Sequence, residues 1–163
     1  MYQSNWLVVS DLASKIQYLD DWYQTSLGEQ VFSASRGLVE QWVSDICPDF
    51  LLQVGCHSFY QKACHAKQTF VHVDPRTNSR TNGLDVCCGL EVLPFMSDIF
   101  PMAICPHIHE MMVDHSVIFK ELYRVLDPEG YLILVGVNMK SCWGVEYVMG
   151  RHVSFGWSEG VYS

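Results

Sequence analysis

Two short stretches carry side chains whose type and spacing could do chemistry. In the first, Leu51-Leu52-Gln53-Val54 runs into Gly55-Cys56-His57, and Asp74-Pro75 closes the run 69–74, with Asp74 standing 19 residues beyond Gly55. A glycine turn lets backbone come close to a ligand. A carboxylate about 20 residues further on, across one βαβ unit, can accept hydrogen bonds from both hydroxyls of a ribose. Asp74 could otherwise cap the turn before Pro75, and Cys56 reads as a small packing residue rather than a nucleophile. In the second stretch, Pro106-His107-Ile108-His109-Glu110 follows another apolar run. His107 could take a proton from a reacting group or simply hydrogen-bond its own loop, and Glu110 reads as a solvated charge.

Elements must exist to bring these residues together. Residues 11–46 read as helical: Leu12, Ile16 and Leu19 recur at helical spacing, and Thr25 or Ser26 offers an N-cap, with Glu29 three residues after Ser26 as in a capping box. Leu27, Val31, Leu38, Trp42 and Ile46 form the expected buried stripe, and Pro48 ends the helix at Cys47. Short apolar runs then alternate with turns, giving expected strands at 50–54, 69–74, 84–88, 102–105 and 131–137. A crossover helix is expected over 56–66, because parallel strands cannot be joined by a tight turn, and an amphipathic helix over 113–126. Strands alternating with helices indicate an α/β fold with a mainly parallel sheet. In such sheets ligands bind beyond the carboxyl ends of the strands, which is where both chemical stretches fall.

The bulk properties limit the partners. The 163 residues include 49% hydrophobic and 13% aromatic side chains, a globular composition. The net charge of −8 comes from 18 acidic and 10 scattered basic residues, and without a basic stripe neither nucleic acid nor an anionic membrane surface is an expected partner. No apolar run approaches the about 20 residues of a membrane span. The first residues lack a basic region followed by a long apolar one, so no secretory signal is expected. Seven cysteines, mostly within apolar runs and with no CxxC pair, read as reduced thiols of a cytoplasmic protein.

The run 90–138 resembles class I S-adenosylmethionine-dependent methyltransferases, in particular the type 11 group. Leu93-Pro94-Phe95 matches the Leu-Pro-Phe after strand three, Phe100 the Phe before strand four, and His107 the His after it. Glu121, Arg124, Val125, Leu126, Pro128 and Gly130 match the "E-x-x-R-V-L-x-P-x-G" that leads into strand five. The resemblance extends over about 22–144. It implies a Rossmann-like fold, S-adenosylmethionine as cofactor and methyl transfer to a small-molecule acceptor. It also implies a cofactor-binding set of Gln53, Gly55, Cys56, His57, Asp74, Pro75, Gly89, Leu90 and Pro106, with His107 as the candidate base. Residues 1–46 would be a helical lead-in and 47–163 the Rossmann-like domain. The family sheet has seven strands and only five fit before 138, so the chain is expected to lack the final strands, unless "YVMGRHVSFGW" supplies one. A bare sheet edge would invite pairing with a second copy as a homodimer.

The sequence departs from the family pattern at the glycine loop. Where the family has Asp/Glu-x-Gly-x-Gly-x-Gly, this chain has Gln53, Gly55, His57 and Phe59, and Gly89 and Pro101 stand where the family often has Asp. A weak or degenerate transferase is therefore expected, with a catalytically inactive binding or scaffold protein as the alternative. A third class has less behind it. His107, His109, Asp114 and His115 resemble the H-x-H-x-D-H motif of metallo-β-lactamase-like hydrolases, but three extra residues split the pairs, so no metal site is expected.

Overall fold

A computed structural model describes residues 11–56, 69–76, 84–136 and 138. Two helices come first, α1 (Leu12–Trp22) and α2 (Ser26–Ile46). They are followed by β1 (Phe50–Val54), β2 (Thr69–Asp74), β3 (Leu84–Cys87), β4 (Phe100–Pro106), the short α3 (Ile108–Met111), α4 (His115–Val125) and β5 (Leu126–Val135). The five strands form one sheet in the order β3-β2-β1-β4-β5, and every pairing is parallel. This is the mainly parallel α/β sheet expected from the alternating runs, in the Rossmann-like arrangement that the resemblance implies. The order reverses between β1 and β4, which makes the space beyond their carboxyl ends the switch-point crevice of the sheet.

The central strands are buried because helices cover a parallel sheet on its faces. Leu51, Leu52, Val54, Val71, Val73, Met102, Ala103 and Ile104 all lie in the core. α4 starts where the Asp114 carboxylate accepts from the Ser116 N–H at 3.0 Å, and it buries Ile118, Leu122 and Val125. Each such side chain contributes about 1.5–3 kcal/mol relative to leaving it in water. β5 follows at once and pairs with β4, with an irregularity where Phe100 faces Leu126 and Met102 faces Tyr131. That offset accommodates Asp127-Pro128-Glu129-Gly130, so β5 begins earlier than the apolar run 131–137 alone suggests.

Several expectations need correction. The stripe assigned to α2 holds only in part: Val31 and Ile46 pack against the core, but Leu27, Leu38 and Trp42 are 45%, 63% and 59% exposed, and Gly28, Val39 and Val43 are buried instead. Two adjacent apolar stripes fit this helix, and periodicity cannot say which one faces the core. The N-cap is Thr25, whose hydroxyl accepts from the Gly28 N–H at 3.1 Å, so Ser26 and Glu29 do not form the capping box. Gly28 is required there, since a Cβ on it would lie 2.1 Å from the Trp22 carbonyl oxygen as the chain turns from α1 into α2. β4 is longer than 102–105, because Phe100 and Pro106 also pair with β5. Of the helix expected over 56–66 only Cys56 is described, and it is not helical; the rest of it and the strand considered within 147–157 lie outside the described residues. No helix among the described residues is long and apolar enough to cross a membrane.

Candidate functional site at the strand tips

The pairing register carries Val54 beside Val73, so Gly55 and Asp74 leave neighbouring strands side by side. The Gly55 N–H donates to the Val73 carbonyl at 2.7 Å. Three residues at these tips have left-handed backbone: Gly55 at φ 73°, Cys56 at φ 21° and, at the end of β4, His107 at φ 59°. For the last two this conformation costs free energy, and non-glycine residues held in it cluster at functional sites. The tips of β1, β2 and β4 thus form one rim, with α1 and α3 against it.

On the β1 side, Gln53 is fully buried and its Nε2 donates to the Cys56 carbonyl at 2.7 Å. Its Oε1 has no hydrogen-bond partner among the described residues. Buried polar atoms nearly always find partners, so this spare acceptor marks a place for a donor. Cys56 is buried and its thiol lies 3.2 Å from an Asp20 carboxylate oxygen of α1. It packs and hydrogen-bonds, in keeping with the structural role expected of it. Gly55 does not open onto empty space: a Cβ there would lie 2.1 Å from Ile108 Cδ1. Its carbonyl faces the buried His72 Nε2 at 2.7 Å, and the other ring nitrogen lies 3.3 Å from Asp85 of β3. One histidine therefore ties three strands together under the turn.

On the β2 side, Asp74 is only 1% exposed. Its Oδ1 accepts from the Arg76 backbone N–H at 2.8 Å, and the Arg76 Nε lies 2.9 Å from both carboxylate oxygens, with Nη2 adding a further bond to Oδ2. The Arg76 Nη1 reaches the other way, to Asp20 Oδ2 at 2.8 Å and Gln17 Oε1 at 3.0 Å on α1. Burial alone would lower the guanidinium pKa, but the Asp74 and Asp20 carboxylates more than reverse that and raise it. Asp74 thus combines a turn-capping bond with an ion pair. Pro75 is half-buried beside it.

On the β4 side, Pro106 is buried and His107 continues the ladder through its N–H to the Val135 carbonyl at 2.7 Å. The His107 Nδ1 lies 2.9 Å from a Glu110 carboxylate oxygen. Glu110 is 8% exposed, which corrects the expectation of a solvated charge: the single turn of α3 folds it back onto His107. Tyr23, at the end of α1, lies against the imidazole with ring centroids 6.1 Å apart. Burial pushes the Tyr23 phenol up, and Cys56, Glu110 and Asp20 add to the effect. Gly89 and Leu90, beyond β3, are respectively exposed and buried. His57 lies outside the described residues.

The motif leading into β5 has a role here too. The Arg124 guanidinium donates to the Phe95 carbonyl at 2.8 Å and the Leu93 carbonyl at 2.9 Å, and Glu121 accepts from the Leu93 N–H at 2.8 Å. These bonds pin Leu93-Pro94-Phe95 to α4. The Arg124 guanidinium beside Glu121 holds its carboxyl below the usual carboxylate range. As for metal, no three His, Cys, Asp or Glu side chains converge to hold an ion among the described residues. Asp114 is spent on capping α4.

Sequence reasoning missed Arg76, Gln17, Asp20 and Tyr23. Gln17 and Asp20 share a helix face at three-residue spacing, a visible signal, but nothing local says that this face meets the strand tips.

A family model described as a methyltransferase domain matches residues 52–134. Among solved structures, a SAM-dependent methyltransferase from Thermotoga maritima is 20% identical at a TM-score of 0.64, covering 89% of this chain and 71% of that one. A SAM-dependent methyltransferase from Aquifex aeolicus is 16% identical at a TM-score of 0.58, covering 86% of each. The YcgJ protein of Bacillus subtilis is 21% identical at a TM-score of 0.46 over 52% of this chain, which spans only 42% of that protein. At such identities the likeness to the Thermotoga and Aquifex proteins is one of fold. No curated protein matches the chain.

Proposed function

This chain belongs to the methyltransferase-domain family, the class I S-adenosylmethionine-dependent group, and from that premise we propose that it binds S-adenosylmethionine and directs the methyl group to a small-molecule acceptor. The observation that carries this is the adjacency of Gly55 and Asp74 at the tips of paired strands, on the switch-point side of the sheet.

The residues present fit such a cofactor on two conditions, that Arg76 leaves Asp74 and that Ile108 gives way beside Gly55. Gln53 Oε1 is a buried acceptor in want of a donor, which suits an amino group. Asp74 has two carboxylate oxygens that suit a vicinal diol, provided Arg76 gives them up. Gln53, Gly55, Cys56, Asp74, Pro75, Gly89, Leu90 and Pro106 would hold the cofactor, together with His57.

When bound, S-adenosylmethionine supplies a methyl group already activated on a sulfonium. What remains for the protein is largely alignment, and His107 is the proton acceptor for an acceptor group that arrives protonated. With Nδ1–H donated to Glu110 at 2.9 Å, the basic lone pair is on Nε2, and the carboxylate stabilises the cation formed when Nε2 takes a proton. Glu110 is thus a positioning residue.

Calorimetry with S-adenosylhomocysteine tests the proposal. Binding should be measurable and should fall at least about tenfold in Asp74→Ala, since a charged hydrogen bond is worth about 1.5–3 kcal/mol. Absence of binding at millimolar ligand would refute it. That result would favour a non-catalytic scaffold, a reading with its own support in Ile108 packed against Gly55 and Arg76 on Asp74.

A further inference from the structure

Arg76 occupies the carboxylate on which the proposed cofactor site depends. Both oxygens of the nearly inaccessible Asp74 carboxylate face its guanidinium, and Oδ1 also takes its backbone N–H at 2.8 Å. A carboxylate has about four acceptor positions, so little capacity is left for the hydroxyls of a sugar. The same guanidinium crosses to α1, where Asp20 Oδ2 lies at 2.8 Å and Gln17 Oε1 at 3.0 Å. α1 is held over the rim at two further points: Asp20 to the Cys56 thiol at 3.2 Å, and the Lys15 ammonium to the Met111 carbonyl at 2.9 Å. One side chain therefore satisfies the strand-tip carboxylate and helps to tether the helix that covers it.

We infer that Arg76 is an autoinhibitory latch: it occupies Asp74 and fastens α1 across the rim, and a ribose-bearing ligand must displace it, loosening α1 as it enters. The ligand half of this inference rests on the proposed cofactor site; the tethering half does not. The fork geometry of arginine is what makes the bridge, because one planar group serves two carboxylates in different directions. Lysine keeps the charge and loses the bridge.

The experiment uses the full chain and two variants, Arg76→Lys and Asp20→Asn, which avoid stranding a buried unpaired charge at Asp74. Hydrogen exchange without ligand is the first measurement. Both variants should raise exchange in α1 by about tenfold and leave α4 within about twofold. Unchanged exchange in α1 in both variants overturns the latch, as does equal acceleration in α4, which would signal general loosening. Calorimetry with S-adenosylhomocysteine is the second. Arg76→Lys should bind about tenfold tighter than the parent, and Asp20→Asn, which leaves Arg76 on Asp74, should gain less. Equal or weaker binding by Arg76→Lys overturns the competition and leaves the cofactor site standing. Should no protein bind the ligand while α1 is loosened, the cofactor site falls and the tether is upheld.

Discussion

Gly55→Ala offers a direct measure of what the first strand tip is built for. In a cofactor loop a glycine is kept so that backbone can approach the ligand. Here the residue has φ 73° and its missing Cβ would stand 2.1 Å from Ile108 Cδ1 and 2.6 Å from Ile108 Cγ1. Alanine in left-handed backbone costs about 1–2 kcal/mol, and forcing a methyl into a filled space about 1–3 kcal/mol more. The turn cannot easily move aside, because its N–H is bonded to Val73 and its carbonyl faces His72. The expected loss is therefore about 2–5 kcal/mol, or roughly 10 °C in Tm at about 2–4 °C per kcal/mol for a chain of this size. Urea unfolding of the ligand-free protein, followed by circular dichroism, gives the number. Ile108→Val removes the nearest atom at a cost of about 0.5–1.5 kcal/mol on its own. Combined with Gly55→Ala it should recover about 1 kcal/mol or more of the steric part. A cost below about 1 kcal/mol for Gly55→Ala, or additivity within about 0.5 kcal/mol in the double variant, would show that Ile108 does not fill this space.

Three further outcomes follow from the same geometry. Arg124 lowers the Glu121 pKa in the folded chain, so the pair's contribution is fully present above the ordinary carboxylate range and is lost as pH falls through the lowered folded value; Glu121→Gln should flatten the acid side of the stability profile, from the ordinary carboxylate range downward, and an unchanged slope would discount the pair. Glu110→Ala should cost about 1–3 kcal/mol by leaving the buried His107 Nδ1–H without its acceptor, and Glu110→Gln should cost less; nitrogen-15 shifts of the parent ring should report a protonated Nδ1, and the opposite tautomer would contradict the pairing. Burial pushes the Cys105 thiol up to about 12, so iodoacetamide at pH 8 should modify the exposed Cys47 and Cys87 first and reach Cys105 only after denaturant is added; mass spectrometry showing equal rates would contradict the burial.

Much of the frame was legible because its signals are local. The runs 50–54 and 69–74 are bounded by a proline ahead of the first and an acid and proline after the second, and they became β1 and β2 with those limits. The motif Glu121, Arg124, Val125, Leu126 could be matched by type alone, yet its work, holding Leu93 and Phe95 by their backbone, spans about thirty residues and shows only in three dimensions. α2 shows where pattern reading fails. Leu27, Leu38 and Trp42 make as good an apolar stripe as Gly28, Val39 and Val43, and the packing partner decides between them.

The sequence by itself determined the order of the five strands and of α1, α2 and α4, the parallel sheet and the two places where chemistry could sit, since backbone preference and side-chain period act over a few residues. Only the tertiary structure decided that Arg76 holds Asp74, that Glu110 turns inward to His107, and that α1 lies over the rim. Those facts depend on which distant surfaces meet, and a charged side chain two or three residues from a carboxylate or a histidine reads the same in sequence whether it faces water or its neighbour. Burial makes the difference: at the strand tips, where water is excluded, each charge must find a partner within the protein.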